Sequence, residues 1–530
     1  MNDPFAAGAA VAADLPFRAI VELIREHAQA APRHPALVDS TSTLDYGSLD
    51  AVMDRVAASL QRDGVAAGES IAICAVNSTR YAAIFLGALR AGVVVAPLAA
   101  SVTPASFRSM LADAGARLLF VDASADAVVG ADDAGLPRRI SLDGKASGTA
   151  FDAWLAPAGS APRAVEIRPE MAFNIIYSSG TTGTPKGIVQ PHGMRWTHVM
   201  RGGRFGYSRE TVTLLATPLY SNTTLVVFFP TIAFGGTVVL MEKFDVDRYF
   251  ALAERQRVTH TMLVPVQYQR LMASPRFGAH DLSSFRMKFC TSAPFAAALK
   301  ADVVARWPGG LVEFYGMTEG GGTCILAAHE HPDKLHTVGM PAEGHDIRLI
   351  DEDGRELPPG ATGEVVGHSA GMMAGYHGQP AKTAEAEWFD ATGKRFIRTG
   401  DVGRFDDDGF LTLVDRRKDM IISGGFNLYP SDLEAVLRGH PDVAEAAVAG
   451  VPSERWGETP AAWVVAREGA RLDAEAVRAW ANEQLGKTQR IAFLDVVDEL
   501  PRSAIGKVLK RELRDRFVAA HSTGSGASHG

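Results

Sequence analysis

The sequence predicts an α/β protein whose sheet-and-helix first half gives way to β-hairpins and then to a small α+β unit. Three observations carry this. Short β-rich runs alternate with helical segments through the first half. Hairpin signals take over after about Gly339. A highly charged junction, Asp415-Arg-Arg-Lys-Asp419, precedes the last part of the chain.

Residues 70–76 form a short apolar β-rich run, 82–90 are helical in character, 93–95 are β-branched, and 118–121 read as a buried strand. Such strand–helix–strand alternation implies a parallel or mixed sheet covered on both faces. Helices are expected at 18–30 and 49–62, which lack internal Gly and Pro. Residues 211–241 contain no charge and are long enough to cross a bilayer. Pro218, Asn222, Pro230 and Gly235-Gly236 interrupt them, so the expectation is a buried strand, a polar turn, a core helix and a second strand.

Further on, residues 347–350 precede Asp351-Glu-Asp-Gly354, and residues 403–405 precede Asp406-Asp-Asp-Gly409. Asp-Gly between apolar runs marks a hairpin, and the acidic triplets read as solvated turns. After the junction come a helix start at 432–437, strands at 443–451 and 461–465, and a helix at 474–485. The domain reading is therefore 1–417, then 418–520, then a Ser/Gly-rich tail, 521–530, expected to be disordered.

The chain has 530 residues with 53 basic and 61 acidic side chains, a formal charge of −8. Apolar residues make up 47% and charged residues 22%, as in a soluble globular protein. The acidic excess argues against nucleic acid or an anionic membrane as the main partner. Cys74, Cys290 and Cys324 are odd in number and widely spaced, which fits a reducing, cytoplasmic compartment. The start of the chain lacks the basic and apolar pattern of a secretory signal. His329, His331 and His336 form a loose cluster beside Pro332 that reads as a surface loop, and Met372-Met373 reads as packing.

Four segments suggest chemistry. In Tyr177-Ser-Ser-Gly-Thr-Thr-Gly-Thr-Pro-Lys-Gly187, an apolar strand-like run leads into small and hydroxyl residues and one lysine. Glycines allow close backbone approach to a phosphate, and hydroxyls and N–H groups donate to its oxygens. Pro185 stands where a Walker A loop needs its second glycine, so this is a different phosphate loop. The second segment is Tyr315-Gly-Met-Thr-Glu-Gly-Gly-Gly322. The third is Thr399-Gly-Asp401, after a strand-like run. The fourth is Leu500-Pro-Arg-Ser-Ala-Ile-Gly-Lys507. Singly, the first also reads as an ordinary linker, the second as a strand-ending turn and the fourth as a solvated lysine entering a basic helix, and the third is non-specific.

Together and in this order, the four segments resemble the ANL superfamily of adenylate-forming enzymes, from about Phe17 to Phe517. The resemblance implies a large N-terminal domain of αβ-sandwich subdomains with a β-rich subdomain, and a small mobile α+β C-terminal domain. It implies ATP, Mg²⁺ and CoA. Ser179, Thr181, Thr182, Gly183, Thr184 and Lys186 would close on the ATP phosphates. Tyr315 would lie beside adenine, and Asp401 and Arg416 would hold the ribose. Thr318 would donate to the α-phosphate, and Glu319 would hold Mg²⁺ through ATP. Lys507 would bridge the carboxylate and the α-phosphate. Lys418 stands at the hinge position, and after rotation Gly424 and Gly425, with Arg490, would meet CoA. Tyr220, Ser221, Asn222 and Gly316 would line the acyl pocket.

The implied activity is AMP-forming acyl-CoA synthesis. The histidine that often gates the family's acyl pocket is absent from Tyr220-Ser-Asn-Thr-Thr224, and no Asp stands between Arg209 and Glu242 to pair with an amino-acid ammonium. An apolar lining points first to a medium- or long-chain fatty acid, with an aromatic or alicyclic acid close behind. Loading of a carrier protein, a non-catalytic nucleotide sensor and a luciferase-like oxygenation are the alternative readings. A homodimer is compatible with the resemblance, and acetylation of Lys507, reversed by a deacetylase, would silence the first step by removing its charge.

Overall fold

The structure is a computed structural model and describes residues 16–130, 135–178, 186–416, 419, 421–423, 426–428, 430–453, 457–485, 489–502, 506 and 508–522. The chain divides into two compact units. One is Met1–Ile347 with Gly367–Ile397, and the other is Arg348–Val366 with Arg398–Gly530.

The first unit is built on two mixed sheets. An eight-stranded sheet has the order Gly375–Tyr376, Lys186–Pro191, Ala172–Ser178, Val94–Pro97, Ser70–Cys74, Leu118–Val121, Arg138–Ser141, Thr149–Ala150. The strands expected at 70–76, 93–95 and 118–121 are three of these. The helix Thr79–Arg90 starts where the Ser78 hydroxyl accepts from the Tyr81 N–H at 3.1 Å. Its Gly87 lets it lie close against Tyr46–Arg62, because a Cβ there would sit 2.6 Å from the Val56 Cβ.

The uncharged stretch folds as a buried βαβ unit: strand Val212–Leu215, helix Asn222–Ala233 and strand Thr237–Leu240. The two strands pair in parallel, Leu214 opposite Val239. Phe229 of the helix packs on Phe85 and Phe173, with ring centroids 5.7 and 4.8 Å apart, so both sheets share one apolar core. Among the described residues, no helix is long and apolar enough to cross a membrane.

The second sheet, nine-stranded, runs Met340–Pro341, Cys324–Ala327, Gly310–Tyr315, Met287–Cys290, His260–Leu263, Val212–Leu215, Thr237–Leu240, Pro35–Val38, Thr43–Asp45. The ladder from Gly310–Tyr315 to Thr237–Leu240 is parallel. Its strands therefore end along one edge, and the loops after Leu215, Leu263, Cys290 and Tyr315 leave that edge together, where open α/β sheets bind ligands.

Buried charges in this unit are mostly compensated. Arg90 pairs with Asp50 at 2.5 Å and with Asp54 at 3.0 Å, and Lys300 pairs with Glu313. Lys288 donates to the carbonyls of Trp307, Pro308 and Gly309. Cys74, Cys290 and Cys324 are buried free thiols.

In the second unit, Asp401–Phe405 and Leu411–Arg416 form an antiparallel hairpin. Its Asp406–Gly409 link is a turn in which the Gly409 N–H reaches the Asp406 carbonyl and Gly409 takes φ +83°. The last sheet has the order Phe426–Leu428, Ile421–Ser423, Gly457–Ala466, Val443–Ser453, with Phe493–Val496 parallel to Gly457–Ala466. Helices Pro430–Arg438 and Ala474–Gln484 pack into one core around Val448 and Val464. Lys510–Ser522 packs into a separate one around Trp463 and Leu513. His521 and Ser522, assigned to the tail by sequence, close that last helix because the His521 ring stacks on Phe517 and both rings meet Phe493 edge-on. Residues 523–530 of the expected tail lie outside the described residues.

Candidate active site

The antiparallel hairpin of Ala172–Ser178 and Lys186–Pro191 brackets the expected phosphate loop. Lys186 opens the second strand, and its Nζ lies 4.9 Å from the centroid of the Tyr376 ring. Tyr376 sits on the neighbouring strand, opposite Ile188. Its hydroxyl donates to Glu319 Oε1 at 2.9 Å, and the Met373 N–H fixes the Glu319 carbonyl at 2.8 Å. Burial, then the charge and hydrogen bond of Glu319, push the Tyr376 hydroxyl well above its ordinary pKa, so it remains a donor. The second oxygen of Glu319 makes no hydrogen bond among the described residues.

A lysine, a phenol and a carboxylate thus form one chain. Tyr376→Phe keeps the ring beneath Lys186 and removes only the bond to Glu319. A hydrogen bond to a charged group contributes about 1.5–3 kcal/mol, so ATP–pyrophosphate exchange is expected to fall about tenfold or more. An unchanged exchange rate would show that Tyr376 does not position Glu319.

Thr318 and Asn222 meet through Gln190. The Gln190 Nε2 donates to the Thr318 carbonyl at 2.6 Å and to Asn222 Oδ1 at 3.3 Å. Its Oε1 accepts from Asn174 Nδ2 at 3.0 Å and from Arg195. Gly316 faces Gly322 and Thr323, since a Cβ there would lie 3.4 Å from the Gly322 carbonyl and the Thr323 hydroxyl. Tyr315 ends its strand opposite Cys324.

Ser221 is the N-cap of Asn222–Ala233. Tyr220 hydrogen-bonds Ser101 rather than this network. The Thr223 hydroxyl meets that of Ser292, a residue held at φ +84° at the carboxyl end of Met287–Cys290. So Lys186, Glu319, Thr318, Asn222 and Gly316 gather along one set of loops, whereas Tyr220 does not join them.

Asp401 belongs to the second unit. It sits opposite Arg416 across the hairpin ladder, and the Asp401 N–H donates to the Thr399 hydroxyl at 3.0 Å. The two residues expected at the ribose are thereby neighbours in backbone register. Arg490 is exposed. Ser179, Thr181, Thr182, Gly183, Thr184, Lys418, Gly424, Gly425 and Lys507 lie outside the described residues.

The groups present suit a Mg²⁺ carried with nucleotide. Glu319 offers one unengaged oxygen. Among the described residues, no group of three His, Cys, Asp or Glu could cage a metal alone. Mg²⁺ commonly binds through one or two carboxylates plus phosphates.

Tyr376, Gln190, Asn174 and Arg195 escaped the sequence reading. Asn174 carried a signal, being a polar residue inside the apolar strand run 173–177. Tyr376 carried none beyond its place among small residues, because only the strand pairing brings it to Glu319.

Residues 24–377 match the family of AMP-binding enzymes, and residues 432–507 match the AMP-binding enzyme C-terminal domain. The chain belongs to this family, the ANL superfamily of adenylate-forming enzymes, and is an AMP-forming acid–thiol ligase by class. It is 34% identical to a fatty acid–[acyl-carrier-protein] ligase, ScoC, of Streptomyces coeruleorubidus, over 94% of this chain and 96% of the relative. It is also 34% identical to a feruloyl-CoA synthase of an Amycolatopsis species, over 92% and 97%. Among solved structures, the amide bond synthetase McbA of Marinactinospora thermotolerans superposes with a TM-score of 0.82 at 29% identity, over 94% of this chain and 100% of McbA.

Proposed function

We propose that the protein joins a carboxylic acid to the thiol of CoA through an acyl-adenylate. The observation that carries this is the Lys186–Tyr376–Glu319 chain beside the loops of Thr318 and Asn222. In the first step, a carboxylate oxygen of the acid attacks the α-phosphorus of ATP and the bond to pyrophosphate breaks. In the second, the CoA sulfur attacks the acyl carbon, the bond to AMP breaks, and the thiol proton is released. A carboxylate is a poor acyl donor, and AMP supplies the leaving group it lacks.

Lys186 opposes charge on the departing phosphates, and Lys507 opposes charge on the carboxylate and α-phosphate. Bound Mg²⁺ neutralises phosphate charge, and Glu319 is the residue that would hold it. Tyr315 lies beside adenine and Thr318 donates to the α-phosphate. Asp401 and Arg416 hold the ribose, and Ser179, Thr181, Thr182, Gly183 and Thr184 close on the phosphates.

Residues 418–520 act as a lid that turns about Lys418 between the two steps and brings Gly424, Gly425 and Arg490 to CoA. Lys418→Pro, which fixes φ at the pivot, is expected to slow thioester formation about tenfold more than adenylation. Equal losses in both steps would place the pivot elsewhere.

The apolar stretch 211–241 favours a fatty acid. The amide and hydroxyl groups of Asn222 and Thr223 at the helix start, and of Ser292 beyond a strand end, favour a second reading, an aromatic or alicyclic acid with polar substituents. AMP release measured with CoA across fatty, aromatic and alicyclic acids tests the proposal, and the same assay with a carrier protein in place of CoA separates the thiol partners. No nucleotide turnover with any acid would refute it.

A further inference from the structure

Asn174, Gln190 and Arg195 are polar, fully buried and hydrogen-bonded to one another. Asn174 and Gln190 stand opposite each other on the two strands that bracket the phosphate loop, so they share one face of that hairpin. Arg195 belongs to helix His192–Gly202, and its Cζ lies 5.8 and 5.7 Å from the ring centroids of Phe173 and Phe229. Polar groups in so apolar a setting are stable only when their donors and acceptors match.

These bonds run in one direction. A guanidinium donates and never accepts, and Arg195, which burial pulls down to about 9, keeps its protons at neutral pH. Its Nε and Nη2 donate to Asn174 Oδ1 at 3.2 and 3.1 Å, and Nη2 donates also to Gln190 Oε1. Asn174 Nδ2 adds a second donation to Gln190 Oε1, at 3.0 Å. The oxygen of Gln190 is thereby committed to Arg195 and Asn174, and its nitrogen faces the site. Gln190 Nε2 donates to the Thr318 carbonyl at 2.6 Å and to Asn222 Oδ1 at 3.3 Å. A peptide carbonyl only accepts, so Arg195 and Thr318 require the same orientation of the Gln190 amide.

The next peptide is held independently, because the Glu319 carbonyl accepts from the Met373 N–H at 2.8 Å. Two successive carbonyls are thus fixed by donors from separate segments. The half-buried Thr318 hydroxyl makes no hydrogen bond among the described residues. The backbone of Thr318 is therefore anchored while its hydroxyl stays available.

We propose that Gln190 is a positioning residue for adenylation: it aims Thr318 at the α-phosphate and, through Asn222, ties the acid side of the pocket to the same buried amide. The inference rests on the ligase reading above and adds to it a residue that touches no substrate. Arg195 sets the sense of the chain by holding the Gln190 oxygen.

Gln190→Glu is the discriminating variant. A carboxylate keeps an oxygen for Arg195 and adds charge of the opposite sign, so the buried guanidinium stays paired. It also removes both donations and sets an anionic oxygen against the Thr318 carbonyl. The Asn222 amide can turn over to meet it, whereas a peptide carbonyl cannot. ATP–pyrophosphate exchange is run with whichever fatty, aromatic or alicyclic acid releases AMP fastest. Its kcat is expected to fall about 30-fold, with KM for ATP within about threefold of the parent. The thermal unfolding midpoint is expected to stay within about 4 °C. Gln190→Met, similar in length but with neither donor nor charge, is expected to lose about tenfold in kcat.

The Thr318→Ala background separates positioning from general support of the core. Glu319 keeps its own bonds to Met373 and Tyr376, so the loss passes through Thr318. Adding Gln190→Glu to Thr318→Ala is then expected to cost less than about threefold more. A full additional loss in that background would overturn the inference, and so would parental exchange in Gln190→Glu. Failure of both Gln190 variants to fold would mark the residue as support for the core alone and overturn it too. No exchange with any acid in the unmodified enzyme would instead strike the ligase reading, and the inference with it.

Discussion

Lys507→Ala is expected to cut acyl-adenylate formation about 10²- to 10³-fold, while thioester formation from supplied acyl-adenylate proceeds. The reason is where charge appears. When the carboxylate approaches the α-phosphate, two anionic groups are pressed together, and a cation between them lowers the barrier. Thioester formation breaks a bond to AMP after that repulsion is gone. Removing one preorganised charge from a water-poor site costs about 3–4 kcal/mol of transition-state stabilisation. ATP–pyrophosphate exchange reads the first step, and thiol consumption with synthetic acyl-adenylate reads the second. Exchange persisting at the parental rate would mean that another group bridges the carboxylate and phosphate.

Gly320→Ala is expected to destabilise the first unit by about 3 kcal/mol or more and to abolish adenylation with it. Gly320 takes φ +76°, a left-handed conformation that costs a side-chain-bearing residue about 1–2 kcal/mol. A Cβ there would also fall inside the carbonyl oxygen of Gly371, and backbone has no rotamer with which to retreat. Gly320 bridges to Met372, and Met373 holds the Glu319 carbonyl, so relieving the overlap moves Glu319 from Tyr376. A thermal unfolding midpoint and exchange rate equal to the parent would refute the close packing. Gly371→Ala is a milder comparison, because its Cβ would meet the Thr197 hydroxyl, a side chain that can rotate.

Much of the fold was readable locally. The strand at 118–121, the helices near 18–30 and 49–62 and the βαβ unit within 211–241 all follow from apolar periodicity and punctuation. The uncharged stretch resolved correctly because Pro218, Asn222 and the Gly235-Gly236 pair break it at the points where strand, helix and strand meet. Helix Lys510–Ser522 was harder to end from sequence, because its last turn depends on rings from a distant strand. In the site, Thr318 and Asn222 were named separately, but nothing in their spacing showed that Gln190 joins them. Ser221, expected in the pocket lining, is also the cap of its helix, a role that its place before Asn222 did not announce.

What the sequence determined by itself is the chemical class: glycine, hydroxyl, lysine and carboxylate residues in one order define the adenylate-forming family without coordinates. What only the tertiary structure decided is which side chains share a space. Tyr376 reaches Glu319 through strand pairing across more than fifty residues, and Gln190 brings Thr318 and Asn222 together from two further segments. The physical reason is that a local pattern records what each residue prefers of water and backbone. Charge compensation, by contrast, is a property of neighbours, and neighbours far apart in the chain exist only once it has folded.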